Sequence, residues 1–299
     1  MEKVGFIGLG RMGRPMAANL CRKGFGVTGY DVTPEAVAAF EALQGRGASS
    51  VAEAVAGAGI VVTMLPNSAI VREVVAGPGG VFAHAARGAL VMDMSTVDPT
   101  TTDELAAAAA ARGLSFVDAP VGRLASHADA GQSLFMVGAA DADFARVKPL
   151  LEAMGSTIHH CGPPGAGMRT KLVNNFLAVA SCQMNAEALA LAARLGLDLQ
   201  TTLSVLYGTT AKNGQLEINW PSKSLAGDVS PGFTIDLAHK DLSLIVEAAN
   251  AARLPMPIAA AAREAFSSAR ARGFGGQDFS AMLDAHCALV GLTPPRLPR

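Results

Sequence analysis

A short hydrophobic run ending in three spaced glycines constrains this chain more than any other feature. Val4-Gly5-Phe6-Ile7 has the make-up of a buried strand and runs directly into Gly8-Leu9-Gly10-Arg11-Met12-Gly13. A helix is expected next, with Pro15 in its first turn, where a missing N–H is tolerated. In such a strand–turn–helix the first glycine permits the tight turn and the second lets a ligand phosphate approach the backbone. The third allows close helix–strand packing. The N–H groups and positive dipole end of the helix then face an anion. A chain with 32 glycines can carry this spacing by chance, and a bare tight turn is the plain alternative. A second strand, Gly26–Tyr30, weighs against it because it ends in Asp31. A carboxylate there accepts hydrogen bonds from adenosine ribose hydroxyls and repels a 2′-phosphate. Glycines and acid together predict a bound dinucleotide, NAD in preference to NADP, on Gly8, Gly10, Gly13 and Asp31.

The alternation continues. Strands are expected at 59–65, 89–94, 114–118, 134–137 and about 157–160, with helices at 34–43, 68–75, 101–112 and 141–154. Strand and helix in turn mean a parallel, doubly wound sheet of Rossmann type. Ligands of such sheets lie off the carboxyl ends of the strands, so Leu65, Pro66 and Thr96 are expected to line the cofactor. From Gly165 onward the strand pattern stops. Helices are expected at 167–194, 199–208, 213–219, 234–252, 257–272 and 278–290. The reading is therefore α/β, with a dinucleotide-binding domain over 1–163. An all-helical substrate and oligomerisation domain follows over 164–299, joined to it by a long interdomain helix.

That helix opens with Gly165-Ala166-Gly167-Met168-Arg169-Thr170-Lys171 and continues through Leu172-Val173-Asn174-Asn175. Lys171, Asn174 and Asn175 stand at i, i+3 and i+4 and share one face. The surrounding residues are mostly apolar, and a buried ammonium is costly unless polar partners receive it. Lys171 is thus expected to face a cleft between the domains.

Half of the 299 residues are hydrophobic and 16% are charged, with a net charge of −1. No basic block is present, so a nucleic-acid surface is not expected. The four cysteines are widely spaced and read as reduced thiols. No signal-peptide pattern and no uninterrupted apolar run of spanning length are found, which predicts a soluble, cytoplasmic protein without a membrane partner. His159, His160 and Cys161 are adjacent, but neighbours on a strand point to opposite faces, so no metal is expected.

Four ordered motifs now stand together: residues 5–17, Asp118-Ala119-Pro120-Val121, the Gly165-x-Gly167-x-x-x-Lys171-x-x-x-Asn175 run, and Phe233 with Lys240-Asp241. Together they resemble the β-hydroxyacid dehydrogenase family, which includes 3-hydroxyisobutyrate dehydrogenases and tartronate semialdehyde reductases. The resemblance covers nearly the whole chain. It implies that Lys171 is the catalytic lysine, supported by Asn175; Asn174, on the same helical face, is expected to help hold substrate hydroxyls. It also implies that Lys240 lies against the nicotinamide and the substrate, and that Arg11 and Met12 contact the pyrophosphate. One departure stands out. The family pattern Asp-x-Pro-Val-Ser-Gly-Gly appears here as Asp118-Ala119-Pro120-Val121-Gly122-Arg123-Leu124. An arginine beside Gly122 offers a planar fork of donors to an oxyanion, and this signature is most similar to 3-sulfolactaldehyde reductases, in which an arginine grips the sulfonate.

The expected partner is accordingly a small anionic aldehyde or alcohol, sulfonate or carboxylate, and the expected assembly a homodimer or homotetramer. A solvated loop charge is the plain alternative for Arg123. Oxidation of 3-hydroxyisobutyrate or 4-hydroxybutyrate, reduction of tartronate semialdehyde, and imine reduction are rival activities. A non-catalytic dinucleotide-binding scaffold is a further one, against which the Lys171, Asn175 and Lys240 set weighs.

Overall fold

The computed structural model describes residues 2–298. The chain divides into two compact units, Met1–Lys171 and Leu172–Arg299, and the division falls inside the helix Ala166–Arg194. In the first unit nine strands form one sheet: β1 (Lys3–Ile7), β2 (Gly26–Tyr30), β3 (Arg46–Gly47), β4 (Ile60–Thr63), β5 (Leu90–Asp93), β6 (Ser115–Asp118), β7 (Val121–Gly122), β8 (Ser133–Gly138) and β9 (Gly155–Gly162). Their order is β3-β2-β1-β4-β5-β6-β8-β7, with β9 paired to β8. The chain works outward from β1 to β3, then returns to the far side of β1 at β4. That reversal opens a crevice off the ends of β1 and β4.

Period-two alternation sorts the side chains. Val4, Phe6, Ile60, Val62, Leu90 and Met92 join one core cluster, whereas Ile7, Val61 and Val91 join another with Phe116 and Leu105. Successive residues of a strand point to opposite faces, so buried strands read as continuous apolar runs.

The sheet is not parallel throughout, as the sequence reading had it. β6 and β7 both run antiparallel to β8. The physical reason is the short return between β7 and β8, residues 123–132, which holds only the five-residue helix Ala125–Asp129. A parallel join needs a crossover of a dozen residues or more.

The second unit is built of helices around fully buried Trp220, Phe266, Leu242 and Leu283. Where regular helix was expected at 213–219, the structure has a π turn, Gln215–Asn219, followed by Trp220-Pro221, whose proline cannot continue an α ladder. Among the described residues one helix, Ala166–Arg194, is long and apolar enough to cross a membrane by length and composition. More than half of its apolar window is buried inside the protein, as in a core helix.

Candidate active site

The glycine turn after β1 has the geometry that its spacing requires. Gly8 adopts φ 97°, and a Cβ there would run into the Met64 carbonyl, while one on Gly13 would run into that of Gly8. Gly10 differs: a Cβ on it meets nothing within 4 Å. Two glycines are thus forced by packing, and the third leaves an open cradle that a phosphate can enter. Asp31 closes the turn from β2. Its carboxylate accepts N–H bonds from Leu9 at 2.7 Å and from Thr33 at 2.9 Å. Arg11 is exposed and Met12 half-buried on the rim of this turn. The open cradle and the acid at the end of β2 fit a dinucleotide.

Leu65, Pro66 and Thr96 follow the carboxyl ends of β4 and β5, and buried Asp93 ties these loops together. It accepts from the Thr63 hydroxyl at 2.7 Å and the Ser95 hydroxyl at 2.6 Å. Ser95 Oγ in turn accepts from the Leu65 N–H at 2.9 Å. Sequence reasoning missed Asp93 and Ser95. The available signal was an acid closing the apolar run Leu90-Val91-Met92, a place where a carboxylate must find donors.

Below β6 the start of the long helix is fixed at several points. Asp118, 1% exposed, accepts from the N–H groups of Gly165 and Met168, each at 2.6 Å. Burial pushes its carboxyl up to about 6, opposed by those two N–H bonds, and the negative charge of Asp93 adds to the rise. Gly165 adopts φ 91°, and a Cβ on Gly167 would meet the Met136 carbonyl and stand 2.8 Å from the Gly138 nitrogen. The glycines of this motif therefore let the helix start against the backbone of β8. Lys171, 8% exposed, donates from Nζ to the Val121 carbonyl at 2.7 Å.

Gly122 is buried, and Arg123 beside it is exposed with φ 70°, a backbone region that favours glycine. Its guanidinium donates from Nη1 to the Gln132 carbonyl at 2.7 Å and to the Ser156 hydroxyl at 3.0 Å. Nη2 donates to the Thr157 hydroxyl at 3.2 Å. Nε takes no part in these three bonds.

The second unit holds its own polar cluster. Asn175, one turn beyond Lys171 on the same helix and 6% exposed, donates to the Asp241 carboxylate at 2.6 Å. Exposed Asn174 donates to the Asn175 side-chain oxygen at 3.0 Å. Lys240 Nζ pairs with the other Asp241 oxygen at 3.1 Å. Asp241, 2% exposed, is thus the hub of this cluster, a part that its place beside Lys240 in the sequence does not reveal. Among the described residues no group of three His, Cys, Asp or Glu side chains is placed to hold a metal ion.

A glycine-turned Rossmann unit that ends at the buried Lys171, followed by a helical unit, fits a dinucleotide-dependent oxidoreductase. Comparison with known proteins narrows the class. A family model described as the NAD binding domain of 6-phosphogluconate dehydrogenase matches residues 3–162, and one for the NAD-binding segment of NADP-dependent 3-hydroxyisobutyrate dehydrogenase matches residues 165–286. The chain is 43% identical to 3-sulfolactaldehyde reductase of Escherichia coli, over 98% of each chain. It is 38% identical to 2-(hydroxymethyl)glutarate dehydrogenase of Eubacterium barkeri, over 97% of each. Among solved structures, 3-hydroxyisobutyrate dehydrogenase of Mycobacterium tuberculosis with L-serine superposes with a TM-score of 0.87 at 34% identity, covering 95% of this chain and 98% of that one. The chain belongs to the β-hydroxyacid dehydrogenase family of NAD-dependent enzymes.

Proposed function

We propose that this enzyme reduces a small anionic aldehyde to the alcohol with NADH, with 3-sulfolactaldehyde as substrate and 2,3-dihydroxypropane-1-sulfonate as product. The observation that carries the reading is Lys171, a buried ammonium aimed by a backbone carbonyl at the head of a helix. Bound NADH supplies the hydride. An ammonium has three N–H donors, so anchoring one on Val121 sets the direction of the others. Lys171 donates a proton to the substrate oxygen as the carbonyl becomes an alcohol, and takes it back in the oxidative direction. Asn175 orients the lysine, and Asn174 holds substrate hydroxyls. Lys240 lies near the nicotinamide. On the cofactor side Gly8, Gly10, Arg11, Met12 and Gly13 receive the pyrophosphate, and Asp31 selects NAD by engaging the ribose hydroxyls. Leu65, Pro66 and Thr96 line the remainder of that site.

Arg123 binds the substrate anion beside Gly122 in this reading. Its support is the 43% identity to a 3-sulfolactaldehyde reductase and the presence of arginine at a glycine-favouring backbone position. A carboxylate substrate, as in 3-hydroxyisobutyrate or tartronate semialdehyde chemistry, is the second reading. It is favoured by the commitment of the guanidinium to Gln132, Ser156 and Thr157, which leaves anion binding to the backbone. Loss of NADH absorbance on adding 3-sulfolactaldehyde tests the assignment, and an inert mixture returns it to the carboxylate semialdehydes.

Self-association belongs to the same proposal. Val173, Leu177, Met184 and Leu191 are 55–66% exposed, and their spacing of four, seven and seven keeps them on one helical face. An apolar stripe of this length is unusual on a free surface. Light scattering is expected to give the mass of a dimer or tetramer; a single-chain mass at micromolar concentration would reject the assembly. All four cysteines are free, in keeping with the reducing cytoplasm that the reading assigns.

A further inference from the structure

Resting on the reading of Lys171 as proton donor, we propose that Asp118 is a positioning residue. It sets the place of the Lys171 ammonium by clamping the head of the helix that carries it. Two contacts from one short segment meet that head. The Asp118 carboxylate takes the N–H groups of Gly165 and Met168 at 2.6 Å each, and three residues later the Val121 carbonyl takes Lys171 Nζ at 2.7 Å. Met168 and Lys171 are three residues apart, on one helical face and about 4.5 Å along the axis. The clamp therefore acts one turn from the reacting group.

The segment itself is tied to its neighbours. The Ala119 N–H donates to the Asp93 carbonyl at 2.7 Å, and Gly138 and Gly167 bring β8 and the helix into backbone contact around the carboxylate. An ordinary helix start is capped by a residue just before it in sequence. Here the cap comes from a strand 47 residues earlier, so the helix is registered to the sheet and not merely terminated. A carboxylate has two oxygens for two N–H donors, whereas a carboxamide turns an NH2 against one of them. Asp118 touches neither substrate nor cofactor in this account and acts through Lys171 alone.

The test is a double-variant cycle on the full-length enzyme, with kcat and both KM values measured for Asp118→Asn, Lys171→Ala and the pair. D118N is expected to lower kcat about 10- to 30-fold, within the loss that a displacement of about 1 Å can cause. The KM values for NADH and aldehyde are expected to stay within about twofold. In the K171A background D118N is expected to leave the residual rate unchanged, because there is no lysine left to position. A purely structural role would lower the rate in both backgrounds alike, and that result overturns the proposal, as does a wild-type kcat in D118N. If D118N does not fold, Asp118→Ser keeps a capping oxygen and is carried through the same cycle with the same expectations. A near-normal kcat in K171A would instead remove the proton-donor reading, and the proposal with it.

Discussion

Replacing Lys171 with alanine is expected to lower kcat by roughly 10²–10⁴-fold, the usual size of a general acid–base contribution. The truncation removes the Nζ donor from the Val121 carbonyl, a loss of about 1–3 kcal/mol in stability on the scale of one buried acceptor left unsatisfied. Folding and NADH binding are therefore expected to survive, and the effect should fall on turnover. Lys171→Arg sharpens the reading. Arginine keeps the positive charge but does not release a proton near neutral pH, so kcat is expected to stay low if the lysine transfers a proton. A role limited to electrostatics would let arginine restore much of the rate. Steady-state kinetics of the two variants beside wild type decide this, and near-normal kcat in K171A would remove the lysine from the chemistry.

Arg123→Gly is expected to cost about 2–3 kcal/mol in kcat/KM for 3-sulfolactaldehyde, or about 30- to 150-fold, the scale of a charged hydrogen bond. The substitution is well suited to the question because glycine accepts φ 70° without strain. The protein contacts it removes, to Gln132, Ser156 and Thr157, are exposed ones. Little stability should be lost, so a change in kcat/KM reports on the substrate. For a carboxylate semialdehyde held by backbone N–H groups the change should be small. Unchanged kcat/KM with the sulfonate would take Arg123 out of the substrate site and leave it as a brace across the start of β9.

The glycine turn and Asp31 were legible in the sequence because their spacing encodes a backbone shape, and the structure shows two of those glycines forced by contact and one facing open space. The buried strands were legible as apolar runs. The reversal at β7 and β8 was not, since a two-residue strand such as Val121–Gly122 has no periodicity to read. Lys171 was conspicuous as a cation next to a mostly apolar stretch of helix, sharing a face with Asn174 and Asn175. Asp93, Asp118 and Asp241 were not, because a buried carboxylate spells the same as an exposed one. Only the fold reveals which N–H and amide groups converge on it. The direction of the Arg123 side chain likewise depends on Ser156 and Thr157, more than thirty residues away.

The most direct test of the central claim is a ranking of wild-type kcat/KM over 3-sulfolactaldehyde, succinic semialdehyde, tartronate semialdehyde and methylmalonate semialdehyde, each with NADH and with NADPH. The account predicts the sulfonate first and NADH ahead of NADPH by about 10-fold or more, as expected when Asp31 faces a 2′-phosphate. Failure to oxidise either nicotinamide cofactor with any of the four aldehydes would contradict it.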